Sequence, residues 1–125
     1  IWLSGMFGLW LFYVQHQFDE TYWEHPQEWD FFESALKGSS FYKLPKILQF
    51  FSGNIGFHHI HHLSPRIPNY RLEKVQKEVP VFNSVKPVTF LSSFRFLVLR
   101  LWDEEQRKLI GFRALKQMQR SRKMA

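Results

Sequence analysis

Residues Ile1 to Phe18 contain no Asp, Glu, Lys or Arg, and the first fourteen are almost wholly apolar. Ser4, Gly5 and Gly8 are the only small or polar breaks in that stretch. A surface helix of a soluble protein carries charges on its outer face, and this run has none. A full bilayer span needs roughly 20 apolar residues, so the segment reads as the last part of a transmembrane helix that begins upstream of Ile1. A signal peptide does not fit, because there is no basic leader and large aromatics stand where a cleavage site needs small residues. The competing reading is a helix buried in a soluble core. Trp10, Tyr13, Tyr22, Trp23 and Trp29 gather around the exit of the run, and aromatic rings with a polar edge favour the membrane–water boundary.

Charge divides the chain. Residues 1–36 hold six acids and no Lys or Arg, whereas residues 37–125 hold all 17 bases and five acids. A basic half of this size suits an anionic membrane surface, an acidic protein or nucleic acid. Cysteine is absent, which excludes a disulfide scaffold, thiolate metal sites and a cysteine nucleophile. A metal therefore has to sit on His, Asp or Glu.

Helical segments are expected along most of the chain. A short helix is expected near Gln27–Leu36, followed by a break at Gly38-Ser39-Ser40. Over Phe41–Phe51, Pro45 suits a first turn. Leu44, Ile47, Leu48 and Phe51 then share a face, which predicts an amphipathic helix lying on a bilayer or on a core. Ser64-Pro65 and Ile67-Pro68 end a second short helix. A polar helix is expected over Tyr70–Glu78, a loop over Pro80–Pro87, and a helical face of Phe90, Phe94, Leu97 and Leu101 over Val88–Trp102. Residues 106–125 hold seven bases and no acid. They predict a helix, with a strand–turn–strand near Leu99–Phe112 as the competing reading.

The chemistry lies in His58-His59-Ile60-His61-His62. At about 100° per helical residue, taking His58 as zero, His61 falls near 300° and His62 near 40°, so the three converge on one side. His59, near 100°, lies on the shoulder, which gives the pattern H-x-x-H-H. Spacings of three and four place side chains on one helix face, and neutral imidazole is a good ligand for iron, copper, zinc and nickel. Adjacent His61 and His62 diverge enough to reach two ions, so the pattern suits a binuclear centre. A surface cluster, a tag or a pH-sensing patch are the bland readings. His16, which closes the apolar run, is a further candidate ligand. Asp19 and Glu20, one turn on, are candidates to orient its ring. Asn54 is expected to cap the histidine helix rather than bind metal through water, and His25 is expected to be structural.

The segments VQHQFDETYW, GSSFYKLPKILQFFSGNIGFHHIHHLSPRIPNYRL and LRLWDEE together resemble the C-terminal part of a membrane fatty acid desaturase of the histidine-box superfamily, in its bacterial acyl-lipid type. The resemblance covers nearly the whole chain. It implies an all-α fragment of an integral membrane protein, part of a single desaturase domain over 1–125. Residues 1–18 would end a transmembrane helix, and 19–125 would form a cytoplasmic or interfacial helical cap carrying the H-x-x-H-H box. It implies a multi-pass membrane protein with the box and C-terminus on the cytoplasmic side. His58, His61 and His62 fall on ligand positions of the third histidine box, His16 on the family's additional histidine, and His59 on a non-ligand slot. Two Fe ions are implied, completed by boxes that this chain lacks, so the fragment alone is expected to be inactive.

The implied reaction is an O2-dependent desaturation that places a cis double bond in a fatty acyl chain of membrane lipid. Phe and Trp side chains near the membrane exit and in Phe41–Phe51 are candidate walls of the acyl tunnel. Electrons would come from an external donor of ferredoxin or cytochrome b5 type, and no nucleic acid is expected as a partner. Two alternatives stand beside this: a sister di-iron lipid hydroxylase, ketolase or epoxidase, and a non-enzymatic basic membrane-surface adaptor.

Overall fold

A computed structural model describes residues 1–124. Its elements in chain order are α1 (Trp2–His16), α2 (Phe31–Lys37), β1 (Phe41–Lys43), α3 (Lys46–Phe51), α4 (His58–Leu63), α5 (Leu72–Glu78), β2 (Pro87–Thr89), α6 (Phe90–Ser93), β3 (Leu101–Asp103), β4 (Lys108–Ile110) and α7 (Phe112–Met124). Short 3-10 turns over Asn69–Arg71, Pro80–Ser84 and Phe94–Val98 join several of them. Helix dominates, but the all-α expectation needs correction. Strand β1 pairs in parallel with β2, Tyr42 opposite Val88, and β3 pairs antiparallel with β4, Trp102 opposite Leu109.

The uncharged run does form a helix, but α1 is 15 residues long. Among the described residues no helix is long and apolar enough to cross a membrane. Only the end of α1 packs. Leu11 and Val14 are buried, whereas Trp2, Leu3, Met6 and Leu9 are each at least 67% exposed.

Two apolar clusters flank the short strand β1. Leu11, Val14, Tyr42, Leu44 and Phe96 make the first. Leu36, Phe57, Ile60, Leu72 and Phe82 make the second. Tyr42, fully buried, bridges polar partners within the first: its hydroxyl lies 3.1 Å from Ser93 Oγ and accepts from Trp10 Nε1 at 3.4 Å. The backbone of β1 also meets the histidine segment, through Tyr42 N donating to Gly56 O at 2.7 Å and a bridge between Phe41 and Phe57.

Three local expectations change. Phe41–Lys43 is strand, because its backbone pairs with β2 and Gly56, and the helix begins only after Pro45. The expected face of α3 is split: Leu44 is buried, while Ile47, Phe50 and Phe51 all point outward at 72% exposure or more. Over Val88–Trp102 the buried positions are Ser93 and Phe96, not Phe90, Phe94 and Leu97, because the segment tightens into a 3-10 turn and shifts its inward face. The C-terminal region holds both of its competing readings, a hairpin over 101–110 and then α7.

Gly56 sets the spacing between β1 and α4. A Cβ there would collide with the Tyr42 carbonyl oxygen and lie 2.6 Å from Gln49 Oε1. Neither neighbour is free to move, since the Tyr42 backbone is in a ladder and Gln49 is buried. Overpacking of this kind costs about 1–3 kcal/mol. Gly56→Ala is therefore expected to lower the thermal midpoint of the full-length protein in detergent by about 1–4 °C. An unchanged midpoint would show that β1 and α4 are not held this tightly.

Candidate metal centre

Helix α4 is short and starts without a side-chain cap. Its position comes from tertiary packing: Ile60 is fully buried in the second cluster, with Phe57 beside it. Gly53 and Asn54, both with positive φ near 60°, turn the chain sharply out of α3 before it. Asn54 donates through Nδ2 to Asn69 O at 3.1 Å, so it braces the loop and does not cap α4. With Ile60 pointing inward, His58 and His62, four apart, share the side that faces the end of α1.

There they meet His16. The Nε2 atoms of His16, His58 and His62 form a triangle with edges of 3.0, 3.2 and 3.3 Å. Hydrogen bonds cannot satisfy all three edges. A neutral imidazole nitrogen carries either one hydrogen or one lone pair, so the triangle holds at most one good N–H···N bond. One cation receiving three lone pairs satisfies every nitrogen at once. Nitrogens bound at about 2.1 Å to one ion, near right angles to one another, lie roughly 3 Å apart, so the donor set fits a metal. The three residues are the group whose ligand atoms lie close enough together to hold an ion among the described residues.

His16 is oriented from its own helix. Its Nδ1 lies 2.9 Å from the Phe12 carbonyl oxygen, which can only accept, so Nδ1 carries the hydrogen and Nε2 presents its lone pair. Asp19 and Glu20 do not do this: Asp19 pairs with Arg95 at 2.9 Å and Glu20 with Lys86 at 2.8 Å. The Phe12 carbonyl was not legible as an orienting group, since every helical residue has a carbonyl four positions back. The Phe12 ring also lies over His16, with centroids 4.7 Å apart.

His61 lines the same recess of about 330 Å³, together with Phe12, His16, His58, His62 and Pro65. Its ring stacks beside His58, centroids 5.7 Å apart, but stands outside the triangle. His59 points the other way and is fully buried. Its Nε2 donates to Gln76 Oε1 at 2.8 Å, an acceptor fixed because Gln76 Nε2 donates to Phe82 O at 3.0 Å. His25 rests edge-on against Trp23 in the connector, away from the cluster.

The electrostatics favour neutral rings. Burial pushes His58 down to about 3, with further lowering from the charges that His62, His16 and His61 would carry. His62 is lowered by burial first and then by His16 and His61. Metal binding requires neutral imidazoles, and burial favours that form at His58 and His62. His59 is also held down to about 4 by burial, which outweighs its opposing hydrogen bonds to Gln76 and to the Ser40 backbone.

The sequence profile described as fatty acid desaturase matches residues 1–102. A fatty acid desaturase of Bacillus subtilis is 48% identical over 114 residues, which is 91% of this chain and 32% of that protein. A chloroplastic omega-6 fatty acid desaturase of Glycine max is 30% identical over 79 residues, 62% of this chain and 19% of that protein. The chain thus spans about a third or less of the length of these relatives. No solved structure matches it significantly.

His59 gives a pH prediction. Its folded pKa lies below the ordinary value, so the unfolded chain takes up the proton first. Stability is then full above about pH 6.5 and is lost as the pH falls toward about 4, by roughly 2–4 kcal/mol at about 1.4 kcal/mol per unit. In metal-free full-length protein, His59→Gln keeps a donor for Gln76 and removes the titration. Its melting temperature is expected to fall less steeply than wild type between pH 6.5 and 4. Parallel curves would assign the acid sensitivity elsewhere.

Proposed function

The chain belongs to the fatty acid desaturase family, and from that premise we propose that it is part of an O2-dependent di-iron enzyme that introduces a cis double bond into a fatty acyl chain of membrane lipid. The observation that carries this reading is the triangle of imidazole nitrogens at 3.0 to 3.3 Å. His16, His58 and His62 hold one iron through Nε2, and His61, in the same recess, serves the second. Four imidazoles are too few donors for two ions of high coordination number, so the remaining ligands come from residues outside these 125.

When bound, the irons supply the activation of O2 that hydrogen removal from an unactivated methylene carbon requires. The overall balance converts –CH2–CH2–, O2, two electrons and two protons into –CH=CH– and two waters. The chain's own residues hold and shape the site. The Phe12 carbonyl keeps the His16 lone pair turned inward, and burial keeps His58 neutral. The exposed Phe12 ring and Pro65 form an apolar rim on the recess, against which an acyl chain is positioned and water excluded.

Bare apolar surface supports a membrane setting. Trp2, Leu3 and Met6 on α1, and Ile47, Phe50 and Phe51 on α3, are each at least 67% exposed, and soluble monomers rarely leave large apolar patches uncovered. We place the whole enzyme in the membrane as a multi-pass protein, with the histidine helix on the cytoplasmic side. Ferredoxin or a cytochrome b5 type protein delivers the electrons.

Replacing His16, His58, His61 or His62 with Ala in the full-length enzyme tests this. Each variant is expected to lose the double-bond product in lipid analysis and at least one of two irons by elemental analysis, while His59→Gln keeps both irons. Product formation by His58→Ala at the wild-type level would contradict the reading. A hydroxylated acyl chain as the main product would assign the protein to the sister chemistry instead.

A further inference from the structure

Helix α7 carries a charge arrangement that the metal centre does not use. At about 100° per residue, Arg113, Lys116, Arg120 and Lys123 fall within an arc of roughly 80° and make a cationic stripe about 15 Å long. All four are exposed, and none is in an ion pair among the described residues. Arg122 lies off the stripe and donates to Glu105 at 2.7 Å. Ala114, Leu115 and Met118 form the half-buried opposite face. The apolar side of α7 is therefore half-buried, and the basic side faces outward.

Among the described residues no acid pairs with the stripe, although Glu104, exposed at the hairpin turn, is also in no ion pair. Residues 106–125 contain no acid. Asp19, Glu20, Glu24 and Glu105 are taken by Arg95, Lys86, Arg107 and Arg122.

An anionic bilayer and an acidic protein both complement such a stripe, and the face that α7 presents decides between them. The hairpin beside α7 is tied to α1 at its base, where Arg100 donates to Tyr13 Oη at 2.7 Å and its amide to Ile110 O at 3.0 Å. Further along, Leu109 N donates to Asp19 O at 2.9 Å, and Arg107 pairs with Glu24 near the turn. These contacts step along the chain from Tyr13, at the packed end of α1, to Asp19 and Glu24 in the connector. Helix α7 starts at the hairpin base, where Gly111 abuts the Val98 carbonyl, and runs toward the turn, where Gln106 Nε2 donates to Met118 Sδ at 3.8 Å. Helix α7 thus runs alongside the hairpin from its base to its turn. A helix that lies on a bilayer buries its apolar face in the lipid, whereas the apolar side of α7 is its half-buried one and only the charged side faces outward.

We propose that the α7 stripe is the docking surface for a soluble acidic electron-carrier protein, whose carboxylates meet Arg113, Lys116, Arg120 and Lys123. The proposal rests on the desaturase reading, which requires two electrons from outside the chain. It uses a helix beyond the residues that the family profile matches. The hairpin that carries α7 is bonded to Asp19, three residues past His16 in the chain, so a docked carrier sits on the connector that leads to the metal centre. Opposite charges steer encounter and weaken with salt.

The test is the full-length enzyme carrying Arg113→Glu, Lys116→Glu, Arg120→Glu and Lys123→Glu together, in vesicles with and without phosphatidylglycerol. Turnover is driven by an acidic [2Fe–2S] ferredoxin, and separately in a single turnover after reduction with dithionite. The expected result is a KM for ferredoxin raised about tenfold or more at low salt, converging on wild type at high salt. The iron content and the dithionite-driven yield are expected to be unchanged, and four Gln replacements should give a smaller rise. An unchanged KM overturns the proposal. So does a loss that is equal for both reductants and confined to phosphatidylglycerol vesicles, which would assign the stripe to lipid. A wild-type enzyme that makes no product even after dithionite overturns the desaturase reading beneath it, and is distinguishable because it involves no change to α7.

Discussion

The arrangement of this chain depends on how the last turn of α1 is fastened. Gln15 is almost fully buried there. Its side chain donates to Ile55 O at 2.8 Å, and its carbonyl accepts from Ser40 N at 2.9 Å. Ser40 Oγ adds a bond to Val14 O at 3.1 Å. These bonds tie the helix end to the segment before β1 and to the loop before α4. A buried amide left unpaired costs about 1–3 kcal/mol, so the bonds are directional constraints as well as contacts. They fix the azimuth of α1, and the neighbouring His16 is delivered to His58 and His62 as a consequence.

Chemistry and packing are separated residue by residue on α4. Ile60 and His59 face inward, one into the apolar cluster and the other onto Gln76. His58 and His62 face α1, and His61 faces the open recess. A six-residue helix has little stability of its own. Its register is imposed by Ile60, Phe57 and the close approach of Gly56 to β1. The cluster of imidazoles is in that sense a product of tertiary packing, with the histidine spacing supplying only the local half.

The local half was what the sequence disclosed. The 100° rotation per residue predicts His58, His61 and His62 on one side and His59 on the shoulder; in the structure His58 and His62 meet His16, His61 stands outside that triangle, and His59 turns to Gln76. His16 joined them on the strength of the family resemblance, since a lone histidine at a helix end has no pattern of its own. Contacts made across long separations were not legible. The β1–β2 ladder joins residues 46 positions apart, and three-residue strands carry too little alternation to be read. The outward turn of Ile47 and Phe51 was missed for a related reason. Periodicity shows which residues share a face, but the buried Gln49 and the tight Gly56 contact decide which face turns inward. Asp19 and Glu20 were suitable partners for His16 by chemistry, but Arg95 and Lys86 reach them from far along the chain.

The central claim is that one ion is shared by imidazoles from two distant parts of the chain. X-ray absorption on the iron-loaded full-length protein, with and without His16→Ala, addresses it directly. Multiple scattering from imidazole rings should dominate the wild-type spectrum and weaken by about one ring per affected iron in the variant. An identical spectrum after loss of His16, with iron still bound, would mean that the α1 and α4 histidines do not meet on a metal.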